Sequence, residues 1–303
     1  MAESVPIPEH KLSESPNSRS IDILGWTITA STNPISNAGE IDALQASLGI
    51  PLPEMTFGSN YLTLKHNPTS WRYHFTTDGA LKGVKKGELG QGDGGVKVEY
   101  ADKWLRSRTD SGTDFVVPKT VAKPYDWTYT TTYPGHESMV EGRNDKWISA
   151  DPEDSSQAIP MAELTRPDPI LFYAEIPLFE DELHDNGSSS LLVRIRVMPT
   201  CIFILSRFTL RVDNVLFRVY DTRFYLSFAS SPQLIIRETG GWEAPYERVQ
   251  WLLPKRDDMT PLTDPSWIAK ALTTNLSPRL TQKEGAKTGW RGLGTRTEVL
   301  TLA

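Results

Sequence analysis

Between Leu191 and Val212 the chain alternates apolar and polar residues with a period of two. Val193, Ile195 and Val197 fall on one side, with Arg194 and Arg196 on the other. After a short break, Ile202, Ile204, Phe208 and Leu210 repeat the pattern against Arg207 and Arg211. Successive side chains of an extended strand point to opposite faces of a sheet. The pattern therefore requires half-buried strands, and it excludes an amphipathic helix, whose apolar residues recur every three or four positions. Asp213-Asn214 and Asp221-Thr222 carry turn chemistry, because a short polar side chain bonds local backbone N–H groups. With Val215–Tyr220, Arg223–Phe228 and Gln233–Arg237 as further strands, the expectation is an antiparallel meander.

Other elements can be placed around it. Ile21–Ser31, centred on Trp26-Thr27-Ile28-Thr29, reads as one strand. Asn37-Ala38-Gly39-Glu40 introduces Ile41, Leu44 and Leu48 at helical spacing, ended by Gly49 and the Pro51/Pro53 pair. Phe57–Asn60 is a turn before the strand Tyr61–Lys65, and Trp71–Thr76 is another strand. The glycines at 87, 90, 92, 94 and 95 mark a flexible loop over about 85–96, and Val98–Arg106 reads as a short helix. A second long surface loop is expected over about 135–157, then a helical turn at Met161–Thr165. Residues 1–18 and 276–303 read as disordered tails around a single globular domain, 19–275.

A chain of 303 residues with 38% hydrophobic and 23% charged residues can bury a large core. Its net charge of −6 argues against non-specific nucleic-acid binding. Neither a signal peptide nor a run of ~18–20 apolar residues is present, so no membrane partner is expected. The single cysteine, Cys201, sits in an apolar run, which suits a buried side chain in a reducing compartment. The expected location is the cytoplasm, with the nucleus open to a protein of this size.

Chemistry concentrates at Leu178–Gly187, where four carboxylates and His184 lie within Glu180–Asp185. A strand lets at most Glu180, Glu182 and His184 converge, and no second His or Cys stands at metal-ligand spacing. A metal-dependent hydrolase built on this cluster is the alternative reading. The principal one makes Glu180, Asp181 and Glu182 ion-pair partners of the arginines at 194, 196, 207, 211, 218 and 223. The chain has no Gly-x-Ser-x-Gly elbow and no phosphate loop. No catalytic residue, metal ligand or cofactor is assigned. Asp78 and Asp221 stand out as single carboxylates expected on turns, where partner contacts concentrate.

Several blocks occur here in an order that resembles one family. They are Phe57-Gly58-Ser59-Asn60, Lys123–Thr130, Leu178–Gly187, Ile195–Pro199, Arg211-Val212-Asp213 and Asp221-Thr222-Arg223. Over roughly Trp26–Glu238 the chain is similar to the TOR-signalling-pathway regulator-like (TIPRL) family. It departs from the pattern at the glycine-rich insertion, at Thr132 and after Gly240. The resemblance implies an α+β, β-rich fold: two layers of antiparallel sheet, a C-terminal meander and a few peripheral helices. It implies a non-catalytic regulator that binds the catalytic subunit of type 2A-like serine/threonine phosphatases and acts in TOR nutrient signalling. The expected contact surface comprises Asp78, Tyr125, Asp126, Trp127, Ile159, Tyr220 and Asp221.

Overall fold

The computed structural model describes residues 5–84, 128–138, 146–183, 187–213, 216–256, 258, 260–264, 267, 268, 270 and 291–302. The glycine-rich stretch, the helix expected at 98–106 and the segment 123–127 lie outside these residues.

Two antiparallel sheets face each other. The smaller has six strands in the order β1 (His10–Ser15), β2 (Ser18–Ile23), β3 (Trp26–Ser31), β5 (Tyr61–His66), β6 (Arg72–Thr76) and β7 (His136–Glu137). The larger has eight. It starts at β4 (Met55–Thr56) and runs through β9 (Phe172–Asp181), β10 (Gly187–Val197), β11 (Cys201–Val212), β12 (Leu216–Ser227) and β13 (Gln233–Pro245). It ends with β14 (Arg291–Leu302) and β8 (Ile148–Ser149). Short helices flank the sheets, among them α1 (Ala38–Leu48), α2 (Thr77–Lys82), α3 (Met161–Leu164) and α4 (Tyr246–Gln250).

The meander follows the alternation. Val193, Ile195, Val197, Ile204, Phe208 and Leu210 are all buried and point towards the smaller sheet. They meet Trp26, Trp71, Tyr73 and Phe75 in one continuous core, where the Tyr73 and Phe224 rings lie 5.2 Å apart. Helix α1 forms by local rules. Asn37 accepts the Glu40 N–H while the Glu40 carboxylate accepts the Asn37 N–H, and Gly49 closes the helix at φ 66°.

Five expectations are corrected. The strand expected over Ile21–Ser31 is a hairpin, because Leu24 (φ 47°) and Gly25 (φ 82°) make a two-residue turn between β2 and β3. Residues 10–15 of the expected N-terminal tail form β1, and residues 291–302 of the expected C-terminal tail form β14, paired along β13 next to the edge of the large sheet. The loop expected over 135–157 contributes β7 and β8, one to each sheet. Asp221-Thr222 is no turn either. β12 runs unbroken through it, with Asp221 directly opposite Arg207.

Candidate functional site

Residues 128–137 run along the mouth of the interface between the sheets. Thr131 Oγ1 donates to the Ala80 carbonyl (3.1 Å), tying the segment to α2. The Tyr133 hydroxyl takes the Thr76 N–H (3.2 Å) and meets His136 Nδ1 (2.6 Å). Gly79 makes room for it, since a Cβ there would stand 2.6 Å from that hydroxyl. Burial pushes the Tyr133 phenol up to about 12. Tyr73 donates to the Pro134 carbonyl (2.8 Å), and its burial raises its pKa well above the ordinary phenol value.

Beside this strap opens a cleft of about 610 Å³, bordered by Thr132, Pro134, Tyr220, Arg237, Thr239, Glu298 and residues 293–296. Arg237 organises its floor. It donates to Tyr73 (2.9 Å) and twice to Glu298 Oε2 (3.2 and 2.7 Å), and its guanidinium lies 3.9 Å over the Trp147 ring. Every nitrogen of the guanidinium is thereby oriented before any ligand arrives. Asp78 stands at the other side of the strap, in the first turn of α2. Its carboxylate is exposed and pairs with Lys82 at 2.6 Å, and its charge acts on both Tyr133 and His136.

The expected site residues divide. Asp78 sits on a helix rather than a turn, because Thr76 caps α2 by accepting the Gly79 N–H. Tyr220 points inward and borders the cleft. Asp221, next in the strand, points to the opposite face and is buried. It receives two bonds of 2.7 Å from Arg207, with Arg223 3.5 Å away. Ile159 lies on that outer face, packed against a cluster containing Tyr225, Ile236 and Val299. Tyr125, Asp126 and Trp127 lie outside the described residues, directly before Thr128. Asp78 and Tyr220 therefore flank one strap, whereas Asp221 and Ile159 lie behind the sheet. Sequence reasoning missed Tyr133, Arg237 and Glu298. The Pro134-Gly135 turn signal points to the strap, and the alternation at 235–237 places Arg237 in a strand.

Among the described residues, none of Glu180, Asp181 and Glu182 forms an ion pair with the strand arginines. Asp181 accepts backbone N–H groups from Glu54 (3.1 Å) and Leu183 (2.8 Å), while Glu180 and Glu182 are exposed. Five of these six arginines pair elsewhere: Arg194 with Glu175, Arg207 with Asp221, Arg211 with Asp213, Arg218 with Glu243 and Arg223 with Glu238. Each of these carboxylates lies within one strand of its arginine or on the same strand, which makes it the shorter reach. Among the described residues no three His, Cys, Asp or Glu side chains converge on a metal position; His184 and Asp185 lie outside them. Burial pushes the Cys201 thiol up to about 11, as suits a packed side chain. Among the described residues no helix is long and apolar enough to cross a membrane.

Residues 55–250, from β4 to the end of α4, match the TIP41-like family. The chain belongs to that family. It is 37% identical over 281 residues to the type 2A phosphatase activator TIP41 of Saccharomyces cerevisiae, covering 88% of this chain and 75% of that protein. It is 41% identical over 201 residues to the TIP41-like protein of Homo sapiens, 66% of this chain and 68% of the relative. The type 2A phosphatase activator tip41 of Schizosaccharomyces pombe is 33% identical over 252 residues, covering 82% and 92%. The family match spans the meander, the strap and Arg237; β1, β2, β3 and β14 lie outside it.

Proposed function

We propose that this TIP41-like chain is a non-catalytic regulator of type 2A-like serine/threonine phosphatases. It binds the catalytic subunit directly and acts in TOR nutrient signalling from the cytoplasm. The observation that carries the reading is the likeness, over 88% of the chain, to a protein named as a type 2A phosphatase activator. The site supports it in kind. A strap held by two buried tyrosines and a fully oriented arginine make a rigid surface, and rigid surfaces with aromatic anchors bind at low entropic cost.

The contact surface in this reading is the cleft side, with Asp78 and Tyr220 at its margins and Tyr125-Asp126-Trp127 leading into the strap. Asp221 and Ile159 act as supports: Asp221 fixes β12 one residue from Tyr220, and Ile159 packs behind the same sheet. The test is capture of a purified type 2A catalytic subunit by the full chain and by Asp78→Leu and Tyr220→Ala. Asp78→Leu is expected to keep its melting temperature, Tyr220→Ala to melt lower while remaining folded because it also loses packing against the core, and both to bind at least about tenfold more weakly. Failure of the unaltered chain to capture the subunit would remove the regulator reading. Wild-type affinity in both variants would move the contact away from the cleft.

A further inference from the structure

Strand β1 ends the six-stranded sheet, and five of its six residues are exposed. One side pairs with β2 through the turn at Pro16-Asn17, with Ser15 opposite Ser18. In an antiparallel ladder, facing residues alternate between exchanging both backbone bonds and exchanging none. The pair closing a two-residue hairpin exchanges both. Ser15, Ser13 and Lys11 therefore bond to β2, and His10, Leu12 and Glu14 turn their N–H and C=O groups to the open edge. These three also share a face. Leu12 lies opposite Ile21, which is fully buried, yet Leu12 itself is 56% exposed. Among the described residues, the core face of this sheet thus runs on, uncovered, to its edge.

We propose that β1 is a self-complementary edge that pairs two copies of this chain into one continuous antiparallel sheet. A two-fold axis requires outward-facing residues to meet outward-facing residues. With Leu12 on the axis it meets the partner's Leu12, and His10 meets the partner's Glu14 on each side. Lys11 then faces the partner's Ser13, so no like charges oppose. The Glu14 side chain is 78% exposed and only loosely held, 4.0 Å from Arg19. A slip of two residues one way sets Lys11 against the partner's Lys11; a slip the other way sets Leu12 against the partner's Glu14. The centred register is the one that covers the exposed leucine and sets a hydrogen-bonding His10 rather than a like charge against each Glu14, and facing cross-strand pairs are what fix register. The hairpin precedes residues 55–250, so the pairing is independent of the regulator reading.

Sedimentation velocity of the full chain over a concentration series tests it, and a monomer–dimer equilibrium is expected. Leu12→Pro removes an N–H that faces the open edge and leaves the β1–β2 ladder intact. It should abolish the dimer without lowering the melting temperature. Glu14→Lys should weaken the dimer by roughly two- to thirtyfold through its two symmetric pairs, and adding His10→Glu should restore it. The proposal fails if the chain is monomeric throughout, if Leu12→Pro associates as tightly as the unaltered chain, or if the double variant is no tighter than Glu14→Lys alone.

Discussion

Asp221 owes its place to one partner. It lies mid-strand because Arg207 stands opposite and takes both carboxylate oxygens, and the two side chains are 10% and 7% exposed. Two charges taken from water at this depth depend on each other more than they stabilise the fold jointly, since each is costly to bury alone. Asp221→Ala is expected to lower unfolding stability by about 3–5 kcal/mol by stranding the guanidinium. Asp221→Asn keeps one acceptor and should lose less. The combined Arg207→Met, Asp221→Leu variant should recover much of the loss, because no charge is then left buried. Urea titration of the three variants measures this. A cost below ~1 kcal/mol for Asp221→Ala would mean that water reaches the pair. Asp78 is the contrast: exposed and paired only with Lys82, it can be replaced with a stability change inside about 0.5 kcal/mol.

At the scale of elements, β14 is a terminal strand whose removal the fold should not tolerate. It pairs with β13 from Gln233 to Glu243 and places Glu298 beside Arg237, whose side chain is 11% exposed. Ending the chain before Arg291 would open a long edge on β13, remove Val299, Leu300 and Leu302 from their packing, and leave Arg237 without its carboxylate. Such a truncation should melt well below the full chain, as circular dichroism would record; an unchanged melting temperature would refute the role given to the strand. The sequence does not advertise this element. Gly292 and Gly294 interrupt its first half, and the adjacent apolar residues Val299 and Leu300 break the alternation at its end, so its strand character comes from β13, about 50 residues away. β1 hides for a related reason, since a strand with no fully buried residue has no period-two signal. The meander and α1 were legible because their determinants are local: alternation in the one, a capping box and a terminal glycine in the other. The same distinction governs the site. Asp78 and Tyr220 could be named from their motifs. The cleft floor joins Tyr73, Arg237 and Glu298 from strands far apart in sequence, which no local pattern encodes.

For the molecule as a whole, the strap at 128–137 is where the two sheets and the cleft depend on one another, and its hold on the smaller sheet is sensitive to acid. His74 and His136 face each other across β6 and β7, with rings 5.5 Å apart. His74 bonds Thr63 (2.9 Å) and Ser138 (2.6 Å), and His136 bonds Tyr133 (2.6 Å). Desolvation pushes both imidazoles below their ordinary value, although His136 is still exposed on one side. His136 and Arg72 push His74 further the same way, while at His136 the Asp78 carboxylate opposes the burial and Lys82 adds to it. A base whose folded pKa is depressed binds fewer protons folded than unfolded, so stability rises with pH through the interval between the two values. The contribution is present above the unfolded value of about 6.5 and is lost as pH falls through the folded values. Unfolding free energy measured from pH 8 to pH 5 should therefore decline below about pH 6.5. The His74→Gln, His136→Gln double variant, which keeps polar atoms at both sites but does not titrate, should decline less over the same interval. Asp78→Leu should steepen the loss, because it removes the carboxylate charge that favours protonated His136 in the folded chain. Parallel curves for the double variant and the unaltered chain would mean that the acid loss arises elsewhere, among the buried carboxylates paired with Arg207, Arg218 and Arg237.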